Sequence, residues 1–499
     1  MGAVVVGGGI AGLVAARELA LTGLRPLVLE AWSAPGGAVG RHTVAGLELD
    51  AGAESFATRG GTVATLLTEL GLGPAIAAPS GAGAWVQLPT GPGTLPRTGL
   101  LGIPAHPWAR DVRATIGLVG ALRASADRWL PAARGTVRRD GTAASLGELV
   151  ATRMGRRVLH RLVTPVVSGV HAADPGELDV DAVAPGLRAA LAAHGSLGAA
   201  VASMRTLAPA GAAVAGLTGG MFTLVDALAA DLVTRGGRLE TRASVIAIER
   251  EDPAVPGKPG QWSVRVAASA SQAERVLRTG RLVLALPGPA AADLLAPHVP
   301  GLARVRPDPG ADVVLATLVL DAPTLDAAPR GTGVLVAPGV IGVRARALTH
   351  ATAKWAWLAA AAGPGRHVLR LSYGHALGPE GSAGAEPDVA RLPLPELTAL
   401  ALRDAAALLG VRLTASQVVD SARVRWSQSL PQPSHAHRAT VATARSGAGV
   451  LIGLEVCGSW LAGNGLAAVV ADARAAGRRL AIEDRGADWS GPDDCRERY

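Results

Sequence analysis

Gly7, Gly9 and Gly12, with Gly8, Ile10 and Ala11 between them, stand at the spacing that lets a backbone wrap a pyrophosphate. The chemistry of such a turn is electrostatic: free N–H groups and the positive end of a helix dipole aim at an anion. Glu30 adds a carboxylate that accepts hydrogen bonds from ribose hydroxyls, which favours FAD or NAD over NADP. These residues need a strand before them and a helix behind. Val4 to Val6, β-branched and bounded by glycine, predict a buried parallel strand. Ile10, Leu13, Val14 and Leu19 predict a helix with one inward face, closed at Gly23. Pro26 to Glu30 predict the second strand, which delivers the carboxylate.

Gly36 and Gly37 predict backbone lying against a flat or anionic ligand, with Arg41 available to add charge. No Ser-His-Asp set, carboxylate pair or metal-ligand spacing is present, so catalytic residues stay unassigned and no metal is expected.

The chain has 499 residues, too many for one core. It has two lysines, Lys258 and Lys354, and one asparagine, Asn464, so Arg fills most cationic positions. The net charge of +8 reflects that usage; no long basic run or basic–aromatic interleaving argues for nucleic acid. Met1 leads almost directly into the first strand, so no signal peptide is expected. Thr206 to Val225 is uncharged, but Pro209 and Gly at 211, 216, 219 and 220 interrupt it and Ala is its commonest apolar residue, so no membrane span is expected. Cys457 and Cys495 have no paired spacing, which fits a reducing cytoplasm; Cys457 is expected to pack as a small hydrophobe.

The order of elements predicts an α/β protein, a Rossmann-like nucleotide domain of discontinuous segments with an inserted mixed-sheet substrate domain and a helical subdomain. The nucleotide domain takes residues 1–78, 211–290 and 445–483, and the substrate domain 79–106 and 291–444. Residues 107–210 form the helical subdomain and 484–499 a polar tail. Strands are expected at 243–249, 261–266, 281–287, 313–320, 333–336, 367–373 and 449–453, with helices at 222–235, 394–409 and 466–480. Leu118, Leu122 and Trp129, with Arg113, Arg123 and Arg128 among them, predict a surface helix whose apolar stripe faces its own core; the alternative is an interfacial patch that touches a membrane.

Several further stretches carry a resemblance. They are Arg161 to Asp174, Gly219-Gly220-Met221 with Leu224 to Leu228, Lys354-Trp355-Ala356-Trp357 before Leu369 to Ser372, Arg425 to Gln432, and the Gly463-Asn464-Gly465 turn. Together with the opening glycines they resemble the flavin-dependent porphyrinogen oxidases, within the amine-oxidase-like flavoproteins. The resemblance implies FAD, with Gly7 to Gly12 at its pyrophosphate and Glu30 and Ala31 at its ribose; no Cys or His lies beside Gly52 to Ser55, so non-covalent binding is expected. It puts Gly37, Ala38, Gly52, Ala53, Glu54 and Ser55 along the cofactor, Val245 at the adenine, Trp426 beside the flavin, and Asn464, Gly465 and Leu466 at the last helix start. Arg59, Arg41 and His437 are the implied candidates for gripping substrate propionates. The implied reaction is oxidation of coproporphyrinogen III to coproporphyrin III in heme biosynthesis, with oxygen consumed and hydrogen peroxide released. Protoporphyrinogen IX is the alternative substrate. The chain departs from the family pattern at Leu466 to Val469, at Pro433 and at His171, changes that barely touch nucleotide binding because it uses backbone groups. Two other readings share the fold: an amine oxidase, whose aromatic cage this chain could build only from Tyr373 and Tyr499, and a non-catalytic flavoprotein.

Overall fold

The computed structural model describes residues 2–96, 99–138, 140–171, 173–205, 214–251, 260–268, 273–307, 310–374, 388–430 and 434–482. Its centre is a five-stranded parallel sheet built from β1 (Ala3–Val6), β2 (Pro26–Leu29), β3 (Arg238–Glu240), β4 (Leu282–Leu284) and β5 (Leu454–Val456). The spatial order is β3-β2-β1-β4-β5, so neighbouring strands come from three distant stretches of chain. β1 lies in the middle, with Val5 paired to Val28 on one side and Val283 on the other.

Both faces of this sheet are covered, which is why its strands read as unbroken apolar runs. Val5, Val28 and Val283 point into a core shared with α1 (Ile10–Leu21), α2 (Phe222–Thr234) and α3 (Leu466–Ile482). Val4, Val6, Leu27, Leu29, Leu282 and Leu284 point the other way, onto Trp262, Val264 and Val266. Those three residues belong to an antiparallel sheet of Val245–Glu251, Gln261–Val266 and Arg275–Thr279.

α1 departs from the one-faced helix expected of it: every residue from Ile10 to Ala20 is buried. The sheet, α2 and α3 enclose it, and even Arg17 and Glu18 are buried, each held by ion pairs to partners nearer the surface, Arg17 with Glu69 and Asp231, Glu18 with Arg478.

A seven-stranded mixed sheet forms the second layer, in the order Val418–Leu430, Ala311–Asp321, Arg366–Gly374, Ala347–His350, Gly333–Val336, Trp85–Leu88 and Gly91–Thr94. Helix Leu394–Leu409 packs on one face through Leu397, Ala401, Ala405 and Leu408. The other face meets the hairpin of Arg41–Val44 and Leu47–Asp50 through Val319 and Val368 against Val44 and Leu49. Residues 110–205 supply a third, helical core around Ile116, Leu149, Val163 and Leu191.

Two expectations are corrected. The last sheet strand is Leu454–Val456; residues 451–453 form a turn, and Val450 and Ile452 are exposed, so the apolar run at 449–453 was read one element too early. The apolar stripe near residue 120 does not face its own core. Leu118 and Leu122 are each 61% exposed and Trp129 is 75% exposed. Gly117, at φ +73°, breaks the Arg110–Ser125 helix, and Val112, Ile116, Ala121 and Ala124 fill the core instead. Trp108 donates to Ser125 Oγ at 2.7 Å, which brings a further half-exposed aromatic to the same region.

Among the described residues no helix is long and apolar enough to cross a membrane, and no group of three or more His, Cys, Asp or Glu could hold a metal ion. Residues 206–213 of the glycine-interrupted stretch, Pro433, Cys495, Tyr499 and the tail lie outside the described residues.

Candidate functional site

The site grows from the β1–α1 turn. Gly12 sits where the helix crosses its own approach strand: a Cβ there would lie 1.8 Å from the Gly7 carbonyl oxygen. Gly9 caps α1 without any side-chain hydrogen bond, so the N–H groups of the first helical turn face outward unclaimed by a capping residue. A second glycine loop closes on the first. Gly36 donates its N–H to the Gly8 carbonyl at 2.8 Å and pairs with Gly9 in a parallel bridge, and Gly37 lies against Gly9. The result is a backbone-lined cradle at a helix N-terminus, suited to a pyrophosphate.

Glu30 is buried at the end of β2. Its carboxylate accepts from Gly8 N–H at 2.7 Å and Trp32 N–H at 2.8 Å. Beyond it, the chain leaving β3 crosses over: Ala243 donates to the Glu30 carbonyl and Arg242 to that of Trp32, which brings Val245 to the same end of the sheet. Ala31 is exposed there. On the far side of the sheet, Asn464 and Gly465 lead into Leu466, the first residue of α3, which packs alongside α1.

Residues 38–55 form a continuous wall. Ala53 donates to the Ala38 carbonyl at 2.9 Å, and Trp426 Nε1 donates to the Ala51 carbonyl at 2.9 Å. A Cβ on Gly52 would meet the Ala38 carbonyl oxygen at 2.1 Å and the Trp426 ring at 3.2 Å. Gly52 therefore lets two backbone strands and an indole converge. Ser55 is half-buried beside them.

Glu54 anchors this wall. Lys354 Nζ reaches its Oε1 at 2.5 Å and Arg370 Nη2 its Oε2 at 3.0 Å. Arg370 Nη1 also donates to the Gly52 carbonyl at 2.8 Å, so one guanidinium holds the loop by backbone and carboxylate together. Burial pushes the Glu54 carboxyl up, but the charges of Arg370 and Lys354 and the ammonium hydrogen bond outweigh it and hold it at about 2. Asp50 behaves oppositely. Burial raises it to about 6, against the N–H groups of Met221 and Phe222 and the Arg370 charge, with Glu54 adding to the rise.

The three propionate candidates are not brought together. Arg41 is exposed, pairs with Asp226 at 2.7 Å and lies 5.0 Å over the Phe222 ring. Arg59 is exposed in the turn before helix Thr62–Glu69. His437 bonds the Trp460 carbonyl at 2.7 Å through Nε2. His171 ends helix Thr164–His171. Cys457 is fully buried and packs as a small hydrophobe, and burial pushes its thiol up. Sequence reasoning missed Arg370 and Asp50 as parts of the wall. The one available signal was Lys354, because a lysine in so Lys-poor a chain marks an environment that Arg does not fill.

The family profile described as "Flavin containing amine oxidoreductase" matches residues 10–483. A protein of Mycobacterium leprae named coproporphyrinogen III oxidase is 31% identical over 489 residues, covering 95% of this chain and 96% of its own. One of the same name from Mycobacterium tuberculosis is 32% identical over 484 residues, with 95% and 96% covered. The solved structure of a putative protoporphyrinogen oxidase from Exiguobacterium superimposes with a TM-score of 0.77 at 22% identity, covering 96% of this chain and 98% of that one. With its glycine cradle, buried Glu30 carboxylate and matched length, the chain belongs to the flavin-containing amine oxidoreductases and is a flavin-dependent oxidoreductase.

Proposed function

We propose that this chain is an oxygen-using, FAD-dependent coproporphyrinogen III oxidase of heme biosynthesis, acting in the cytoplasm. The observation that carries the reading is similarity over 95% of the chain to relatives of that name. When bound, FAD would supply at N5 a two-electron acceptor for hydride from a methylene bridge of the porphyrinogen, with oxygen as the final oxidant and hydrogen peroxide as the by-product.

The chain's own residues bind and position. The Gly7–Gly12 turn and Gly37 take the pyrophosphate, Glu30 the ribose, Val245 the adenine edge, and Asn464 to Leu466 the far phosphate side. Ala38, Gly52 to Ser55 and Trp426 shape the flavin wall, which Arg370 and Lys354 fix through Glu54. A porphyrinogen cation is stabilised by its own pyrroles, so orientation and an apolar slot matter more than side-chain acid–base chemistry. Arg59, Arg41 and His437 remain the candidates for propionates, Arg by its bidentate fork. Binding is non-covalent: acid precipitation should release all the flavin, and colour kept in the pellet would refute it. The segments 1–78, 211–290 and 445–483 form the cofactor domain around the parallel sheet. The exposed Leu118, Leu122 and Trp129 favour a peripheral contact with a membrane surface.

An amine-oxidase reading is disfavoured by Tyr373, which is buried with its hydroxyl on Asp404 at 3.2 Å and so is spent outside any aromatic cage. Protoporphyrinogen IX is the second reading, favoured by the likeness in fold to the Exiguobacterium protein. Turnover measured side by side on both porphyrinogens decides between them. Faster oxidation of coproporphyrinogen III is expected; the reverse order would overturn the choice of substrate.

A further inference from the structure

Behind the Gly52–Ser55 wall lies a small cavity of about 30 Å³, lined by His42, Thr317, Trp357, Asp50, Glu54 and Arg370 among others. Three of these residues present a buried polar atom with no protein partner: His42 Nε2, Thr317 Oγ1 and Trp357 Nε1. They come from three different elements, the Arg41–Val44 strand, the Ala311–Asp321 strand and helix Ala356–Ala362. That three orphaned groups should meet around one void by accident is improbable, because buried polar groups are almost always satisfied. Their chemistry defines what they would bind. Trp357 can only donate, Thr317 can do both, and His42 does either according to its tautomer. The ligand must therefore accept and donate within a volume that holds one or two small molecules. Water meets that description, and the cavity passes the usual size and partner requirements for it.

We propose that this cavity is a buried water site that carries protons between Asp50 and His42. A proton leaves the Asp50 carboxyl oxygen for the water as the water passes one of its own to His42 Nε2 and the imidazole gives up its Nδ1 proton on the side away from the cavity, and the return runs the same path. The groups that face Asp50 are Glu54, Arg370 and the N–H groups of Met221 and Phe222; those that face His42 are Arg370 and Glu48. Asp50 is suited to the exchange, since burial has lifted it to about 6 while Glu54, on the same wall, stays anionic with Lys354 and Arg370. Hydrating this point would let the wall's charge adjust without opening the fold.

The proposal rests on the cavity alone and not on the cofactor or substrate assigned above, so its test is run on apoprotein and holoenzyme alike. A high-resolution crystal structure should show ordered water within hydrogen-bond reach of His42, Thr317 and Trp357. Infrared difference spectroscopy, with the Asp50 carboxyl band assigned through Asp50→Asn, should show that band exchanging rapidly in deuterated buffer. Thr317→Val keeps the side-chain shape and Trp357→Phe keeps an aromatic ring, while each removes one partner, and each should slow the exchange about tenfold, the weight of one lost hydrogen bond. A dry cavity, or exchange equally fast in both variants, would overturn it.

Discussion

A Cβ at Gly12 would lie 1.8 Å from the Gly7 carbonyl oxygen, and that oxygen is backbone and cannot turn away. Gly12→Ala should therefore push α1 off β1, destabilise the protein by at least about 1–3 kcal/mol and lower the flavin content of the purified protein. Thermal melting and the flavin-to-protein absorbance ratio read both effects; an unchanged ratio would mean that the turn does not hold the cofactor. Glu54 offers a second test at this scale. Glu54→Gln leaves Lys354 and Arg370 buried without their shared counter-charge, and urea unfolding at neutral pH should show a loss of about 3–5 kcal/mol. The sign with pH follows from the depressed carboxyl: the folded value of about 2 lies below the ordinary 4.5, so this stabilisation is complete above 4.5 and is lost as pH falls toward 2. The variant should lack that acid-side slope. Gly7, Gly12 and Glu30 were legible from spacing because a dinucleotide turn is local. The Glu54–Lys354–Arg370 cluster was not, since Glu54 lies some 300 residues from both of its cationic partners and nothing local in a lysine or arginine announces its partner.

Adjacent strands Ala347–His350 and Arg366–Gly374 carry the clearest element-level consequence. His350 Nε2 and His367 Nδ1 lie 3.0 Å apart, and His367 Nε2 bonds Asp326 at 2.9 Å, so one buried imidazole stands behind another. Burial and then the His367 charge lower His350 from 6.5 to about 4. Between those values the unfolded chain binds the proton and the folded one refuses it, so stability is full above 6.5 and declines as pH falls toward 4. Denaturant titrations should lose roughly 2 kcal/mol between pH 7 and pH 5 from this source, and His350→Asn should flatten that part of the profile. Equal slopes in both proteins would contradict the assignment. The strands themselves were readable, Gln261–Val266 and Gly333–Val336 to the residue, because β-branched alternation is a local signal. The β5 boundary was not, as Val450 and Ile452 are as apolar as the true strand and only tertiary pairing with β4 separates them. α1 was drawn with one wet face for a related reason: nothing in residues 10–21 tells that α2 and α3 will close over it.

At the scale of the whole molecule, three chain segments return to one parallel sheet, and the glycine turns at both ends of the sequence meet across it through α1 and α3. That return was legible as repeated strand–glycine–helix units. The orientation of the residue-118 stripe was not, since the Gly117 break decides which face turns inward. Its exposure predicts that the protein sediments with vesicles containing phosphatidylglycerol. Leu118→Asp with Leu122→Asp should weaken this about tenfold or more, from the apolar burial lost. No sedimentation of the parent protein, or no loss in the variant, would leave the patch without that role. The central claim is that the glycine-cradled flavin oxidises a porphyrinogen, and anaerobic stopped-flow mixing with coproporphyrinogen III tests it most directly. Rapid bleaching of the flavin absorbance is predicted; a flavin that stays oxidised with coproporphyrinogen III, or bleaches only with a polyamine, would contradict it.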